Sequence, residues 1–143
     1  RSIEANVPLV ACLPEEPIST RDAREVVPTH VTIEELVATV GNAATLSVGM
    51  CRSDPALVGA GMADEVVTPH RAALITGYDD AADAAREAGA HGVTVSGSGP
   101  GVLAVCPPDR RRDVAAAMVE AFAENGEHAR AYRTWTGGGA AFV

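Results

Sequence analysis

The stretch His91–Cys106, HGVTVSGSGPGVLAVC, carries two short apolar, β-branched runs, His91 to Val95 and Val102 to Cys106. Between them lies Ser96-Gly97-Ser98-Gly99-Pro100-Gly101. Runs of this length and composition read as strands, and the glycine-rich connection makes them neighbours. A dinucleotide fingerprint needs its glycines to lead into a helix, whereas Pro100-Gly101 leads into the strand run Val102 to Val105, so a Rossmann domain is excluded. Gly97 and Gly99 put little side-chain bulk at the turn, which lets backbone amides approach an anion closely. A tight hairpin whose glycines need positive φ accounts for the same residues without any ligand.

Downstream, Pro107-Pro108-Asp109 starts a helix whose Val114, Met118, Ala121 and Phe122 form one stripe, ending at Asn125-Gly126. Ala129 to Trp135 is then a last strand before Gly137-Gly138-Gly139. Upstream, Tyr78 to Ala88 is an alanine-rich helix with Asp79 and Asp80 in its first turn and Gly89 as its stop. Thr68-Pro69 opens a short segment stopped at Gly77, and Asp54-Pro55 opens another that runs to Gly61 or Met62. Thr32 with Glu35 is a capping box, followed at helical spacing by Ile33, Leu36, Val37, Val40, Ala44 and Val48. Ser19, Thr20 and Asp22 cap a short helix, Thr20 to Val27, before Pro28; Asn6 to Cys12 is the first strand. The order gives an α+β fold, a ferredoxin-like βαββαβ plait with an enlarged helical connection after the first strand. The helices of its two strand-helix units are expected on one face of an antiparallel sheet, and residues 1–143 are expected to form a single domain.

With 143 residues, 47% of them hydrophobic, the chain can bury the core of one domain. Nineteen acidic against eleven basic residues, a net charge of −8, argue against nucleic acid or an anionic membrane surface as partner. No apolar run reaches the roughly 18 residues of a membrane span. Every cationic side chain is Arg, which removes Schiff-base chemistry, the Walker A lysine and the strand lysine of protein kinases. Cys12, Cys51 and Cys106 lie far apart among aliphatic neighbours and read as buried, reduced thiols of a cytoplasmic protein. His30, His70, His91 and His128 lack metal-ligand spacing and any serine or cysteine partner, so no metal site is expected. Asp64 and Glu65 are a weak acid/base pair, since neighbours on a helix point apart. No catalytic group is assigned.

The arginines are more informative. Arg24 precedes Pro28 on a short helix, and Arg71 lies between Pro69 and Gly77; both have mostly apolar neighbours. Arginines so placed can clamp a carboxylate bidentately, although ordinary exposed or snorkelling arginines have the same sequence signature. Arg110, Arg111 and Arg112 read as a solvated face at a helix start.

Three stretches in order resemble the homoserine kinase family of the GHMP small-molecule kinases, in its C-terminal domain. Ser19-Thr20-Arg21-Asp22-Ala23-Arg24-Glu25-Val26-Val27-Pro28 is similar to the family's S-T-x-x-A-R-x-x-L-P helix. Thr68-Pro69-His70-Arg71-Ala72-Ala73-Leu74-Ile75-Thr76-Gly77-Tyr78 resembles its E-P-x-R-x-x-L-I-P-G-F segment. Gly92 to Pro100 resembles the glycine-rich strand-loop common to these kinases. The resemblance implies ATP-dependent phosphorylation of the homoserine hydroxyl, a step toward threonine, with Mg²⁺ neutralising the polyphosphate. It implies that Arg24 and Arg71 hold the substrate carboxylate, that Thr20 lies beside them, and that Gly97, Ser98, Gly99 and Pro100 close over the transferred phosphoryl group. The family's other phosphate loop, P-x-x-x-G-L-G-S-S-A, is nowhere in the sequence, so an N-terminal ATP-binding domain is expected as a partner and the chain alone is expected to be inactive. Thr68, Thr76, Tyr78 and Gly101 stand where the family has Glu, Pro, Phe and a small polar residue. Two alternatives remain: a GHMP kinase for another small alcohol, and a stand-alone amino-acid-binding regulatory plait that forms a homodimer through its sheet.

An acid-rich, Arg-only chain with 3% aromatic residues fits a salt-adapted or high-GC source. Its unfolding free energy is predicted to stay flat or rise from low to molar salt; chemical denaturation that shows a loss of stability in high salt would contradict salt adaptation.

Overall fold

The computed structural model describes residues 5–137. In chain order it has β1 (Pro8–Pro14), α1 (Asp22–Glu25), α2 (Ile33–Arg52), α3 (Pro55–Gly61), α4 (Thr68–Ala72) and α5 (Tyr78–Glu87). Then follow β2 (Gly92–Val95), β3 (Val102–Val105), α6 (Arg111–Glu124) and β4 (Ala129–Trp135). The sheet order is β2-β3-β1-β4 with every pairing antiparallel, which is the expected plait with its enlarged first connection.

β1 is central, and its alternate residues feed opposite faces. Val10 and Cys12 join Val102 and Ala104 of β3 and Val93 and Val95 of β2 under α5 and α6. The helices contribute Ala81, Ala82 and Ala85 of α5, and Val114, Met118, Ala121 and Phe122 of α6. On the other face Val7 and Val105, with Leu9, pack against Val58 of α3 and against Met50 and Met62. The expected packing of the two strand-helix units on one face is met by α5 and α6, and α3 covers the other face. The long first connection is what supplies helices to the second face.

α3 reaches β2 because neither has a side chain at the contact. A Cβ on Gly92 would run into the Gly59 carbonyl and Cα, and one on Gly59 would run into His91. α2 packs on α3 through the same device, with Gly49 against Val58. The Thr32–Glu35 capping box is formed in both directions, at 3.1 and 2.7 Å. The apolar stripe read from the sequence is present on α2 but points outward, with Ile33 75%, Val37 65% and Val40 60% exposed.

Several boundaries move by two to five residues. β1 is displaced from 6–12 to Pro8–Pro14 because its ladder with β4 extends through Leu13–Arg130 to Pro14–Ala129, and the two prolines occupy the strand's first and last positions. α6 starts at Arg111, since Pro107–Arg110 closes a turn in which the Arg110 amide donates to the Pro107 carbonyl at 3.0 Å. The segment begun at Thr68 is helical only to Ala72 and continues as tight turns to Gly77, whose φ of 77° admits glycine readily before α5.

Gly92→Ala is predicted to cost about 1 to 3 kcal/mol by overpacking, because the group it meets is backbone that cannot rotate away. The check is a lower urea midpoint at unchanged m-value; an unchanged midpoint would show that α3 can retreat from β2 freely.

Candidate functional site

α1, α4 and the β2–β3 loop meet at one end of the sheet. α1 is started by Ser19, whose carbonyl accepts from the Ala23 amide at 2.9 Å and whose hydroxyl accepts weakly from the Asp22 amide at 3.4 Å. Ala23 is fully buried and seats the helix. The loop is closed by the Ser96 amide donating to the Gly101 carbonyl at 2.7 Å and folded within by the Gly99 amide donating to Ser96 at 3.0 Å. Gly97 and Gly99 have φ of 59° and 84°, so the positive-φ hairpin expected from the sequence is present. A Cβ on Gly99 would lie 3.4 to 3.5 Å from Ile75, Ile18 and Val95, so this residue seats the loop on its apolar floor, whereas Gly97 faces open space. The amides of Gly97 and Ser98 have no hydrogen-bond acceptor among the described residues, and the loop keeps two donors for an anion.

Arg71 ties these pieces together. Its Nη1 donates to the Gly97 carbonyl at 2.7 Å and its Nε to the Ala23 carbonyl at 3.2 Å. The Ala23 carbonyl belongs to the peptide that leads into Arg24, so the Arg71 side chain reaches the backbone of the segment that carries Arg24. Arg24 is exposed and makes no side-chain hydrogen bond among the described residues. Arg71 Nη2 is also without a protein acceptor there, which leaves planar N–H donors of both guanidinium groups available to a carboxylate. Thr20 is exposed just ahead of α1, and Ser98 and Pro100 are half-buried in the loop. Neither the small recess of about 60 Å³ beside Pro100 nor the open groove of about 470 Å³ beside α4 is lined by Arg24 or Arg71. The arginines stand on an open surface.

The family model for the C-terminal part of GHMP kinases matches residues 46–125, more than half of the chain. The chain belongs to the GHMP kinases, as their C-terminal domain. Over 96% of its length this domain is 62% identical to the homoserine kinase of Halorubrum lacusprofundi, covering 47% of that protein. Against the homoserine kinase of Methanocella arvoryzae it is 43% identical over 94% of its length and 45% of the relative's. The crystal structure of homoserine kinase from Cytophaga hutchinsonii superposes with a TM-score of 0.87 at 32% identity, covering 96% of this chain and 44% of that one. The domain thus spans about half the length of the relatives it matches.

Sequence reasoning named Asp64 only as a weak partner of Glu65 and missed what it holds. Its carboxylate accepts from the amides of Val66 and Val67 at 2.9 Å and of Thr68 at 2.8 Å, and from the Thr68 hydroxyl at 2.9 Å. Burial alone would raise its pKa, but the hydrogen bonds from Val67, Val66 and Thr68 together outweigh it and hold the carboxyl below its ordinary value. The weak acid/base pairing of Asp64 with Glu65 is replaced by this capping role; the signal was an Asp four residues ahead of Thr68-Pro69. Arg111 also departs from the solvated face expected of it. It lies 4.5 Å from the Trp135 ring centroid and donates to the Pro108 and Thr134 carbonyls at 3.3 Å.

Only two of the three cysteines are buried as expected, because Cys51 lies on the outer side of α2 near its end. Burial pushes the Cys12 and Cys106 thiols up to about 11. Since the thiolate is the nucleophile, a maleimide at pH 8 is predicted to label Cys51 alone in the folded protein and all three thiols in denaturant. Rapid labelling of Cys12 or Cys106 before unfolding would contradict the packing of β1 and β3.

Proposed function

We propose that this GHMP kinase domain is the C-terminal part of a homoserine kinase and that it holds the carboxylate of homoserine in place. The observation that carries the reading is Arg71, which reaches both the peptide leading into Arg24 and the carbonyl of Gly97 in the loop. An arginine held on the backbone beside a second arginine's segment suits an amino-acid carboxylate and is not needed for a neutral alcohol. The identity to homoserine kinases supports the same substrate.

The reaction is transfer of the γ-phosphoryl group of ATP to the homoserine side-chain oxygen. The new bond joins that oxygen to phosphorus, the bond from phosphorus to the bridging oxygen of ADP breaks, and the hydroxyl proton is released. O-Phosphohomoserine is the product, a step toward threonine. Phosphoryl transfer depends on positioning and on stabilising charge more than on a covalent group. This domain's contribution is accordingly the carboxylate clamp of Arg24 and Arg71, with Thr20 beside it, and the loop Gly97 to Pro100 with its free amides next to the transferred group. Among the described residues no three His, Cys, Asp or Glu side chains converge. The reading assigns Mg²⁺ and most contacts to ATP to an N-terminal domain. The half-length match to the relatives and the outward apolar stripe of α2 support such a second part. No helix among the described residues is long and apolar enough to cross a membrane, and the reading takes the enzyme to be cytoplasmic.

In the full-length protein, Arg24→Ala and Arg71→Ala should each remove charged hydrogen bonds worth about 1.5 to 3 kcal/mol. That corresponds to a loss of roughly ten- to a hundred-fold in kcat/KM for homoserine, read as homoserine-dependent ADP release. Unchanged kinetics in both variants would remove the clamp; ADP release indifferent to homoserine would remove the substrate.

A further inference from the structure

We propose that α4 is a strut on which both Arg71 and the glycine loop are set, and that Asp64, Thr68 and Thr94 are the positioning residues that lock it. The proposal rests on the homoserine kinase reading and adds residues that contact neither substrate nor nucleotide. α4 has five residues, too few to be stable without tertiary support, so its position depends on what holds its ends. Its first turn is held by Asp64 through three amides and one hydroxyl at 2.8 to 2.9 Å. The same Thr68 hydroxyl lies 2.9 Å from the Thr94 hydroxyl on β2. A threonine hydroxyl has one proton, and Thr68 gives its proton to Asp64; Thr94 must therefore donate to Thr68. The chain of donation runs from strand to helix to carboxylate.

The strut reaches the site by two short paths. Thr94 is two residues before Ser96, the residue whose amide closes the loop on Gly101. Arg71 follows Thr68 by one helical turn, and its amide donates to the carbonyl of Val67, whose own amide is held by Asp64. α4 thus grips the β2–β3 connection twice, through Thr94 ahead of the loop and through the Arg71–Gly97 bond inside it. An arginine clamp displaced by about 1 Å can lose on the order of a hundred-fold in rate without any change in the groups that touch substrate. A neutral amide at residue 64 keeps the shape but cannot accept all four bonds, because its NH₂ end is a donor.

The test uses the full-length kinase with Asp64→Asn, Thr94→Val and Thr94→Ser, and measures KM for homoserine and for ATP separately. Asp64→Asn and Thr94→Val are expected to lower kcat/KM for homoserine roughly ten-fold, with KM for ATP changed by less than about two-fold, and Thr94→Ser is expected to recover most of the loss. In an Arg71→Ala background the Thr94→Val effect should shrink to under about three-fold, because the arginine being positioned is gone. If Asp64→Asn does not fold, the Thr94 pair carries the test. A folded Thr94→Val enzyme with unaltered homoserine kinetics, or an effect fully additive with Arg71→Ala, overturns the strut. If Arg71→Ala is itself silent, or homoserine elicits no ADP, it is the functional reading that fails. Hydrogen exchange then still decides the inference: the loop 96–101 should exchange faster in Thr94→Val but not in Thr94→Ser, and equal protection in both overturns it.

Discussion

The central strand β1 is hydrogen-bonded along both edges, to β3 and to β4, and it buries side chains of opposite parity on opposite faces. Val10 and Cys12 commit one face to α5 and α6, while Val7 and Leu9 commit the other to α3. A one-residue slip would exchange the two sets, so the register of this strand fixes which helices lie where. With the sheet order set, β2 is an edge strand, and its end, where the loop begins, is free to meet α4 and α1 beside the sheet.

The site is assembled from side chains that bond to backbone. Arg71 spans two carbonyls, Asp64 gathers three amides, and Thr68 meets Thr94 across elements separated by 26 residues in sequence. Such contacts define distances between short elements that have little stability of their own. They also leave N–H groups of both guanidinium ions unused, on a chain whose net charge is −8. In that acidic setting a favourable potential for any anion has to be local, and unused guanidinium N–H groups beside a loop with free amides are such a local concentration of donors.

Much of this was legible in advance. Strand and helix identities followed from apolar periodicity together with glycine and proline punctuation, and the capping box at Thr32 and the proline start at Pro55 formed as written. The loop glycines declared their positive φ through the lack of side chains around Pro100. Arg24, Arg71 and the loop were singled out from the sequence, and the structure brings the two arginines' segments and Gly97 together. The role of Asp64 escaped because most of its partners are amides, which nearly every residue carries and no motif records. The placement of α2 and α3 on the second face escaped as well. It depends on bare glycine contacts at Gly59–Gly92 and Gly49–Val58, and a glycine in sequence does not say what approaches it.

The sequence by itself determined the element order, the plait topology compatible with it, the excluded chemistries and the residue types available to hold an anion. These depend on local steric preferences and hydrophobic period, which neighbouring residues define. Tertiary structure alone decided that the apolar stripe of α2 faces outward, that Cys51 is exposed while Cys12 is buried, and that Arg71 sits between α1 and the loop. Each of these is a matter of which distant segment occupies the space beside a side chain. That is set by packing between elements far apart in the chain, and no local preference encodes it.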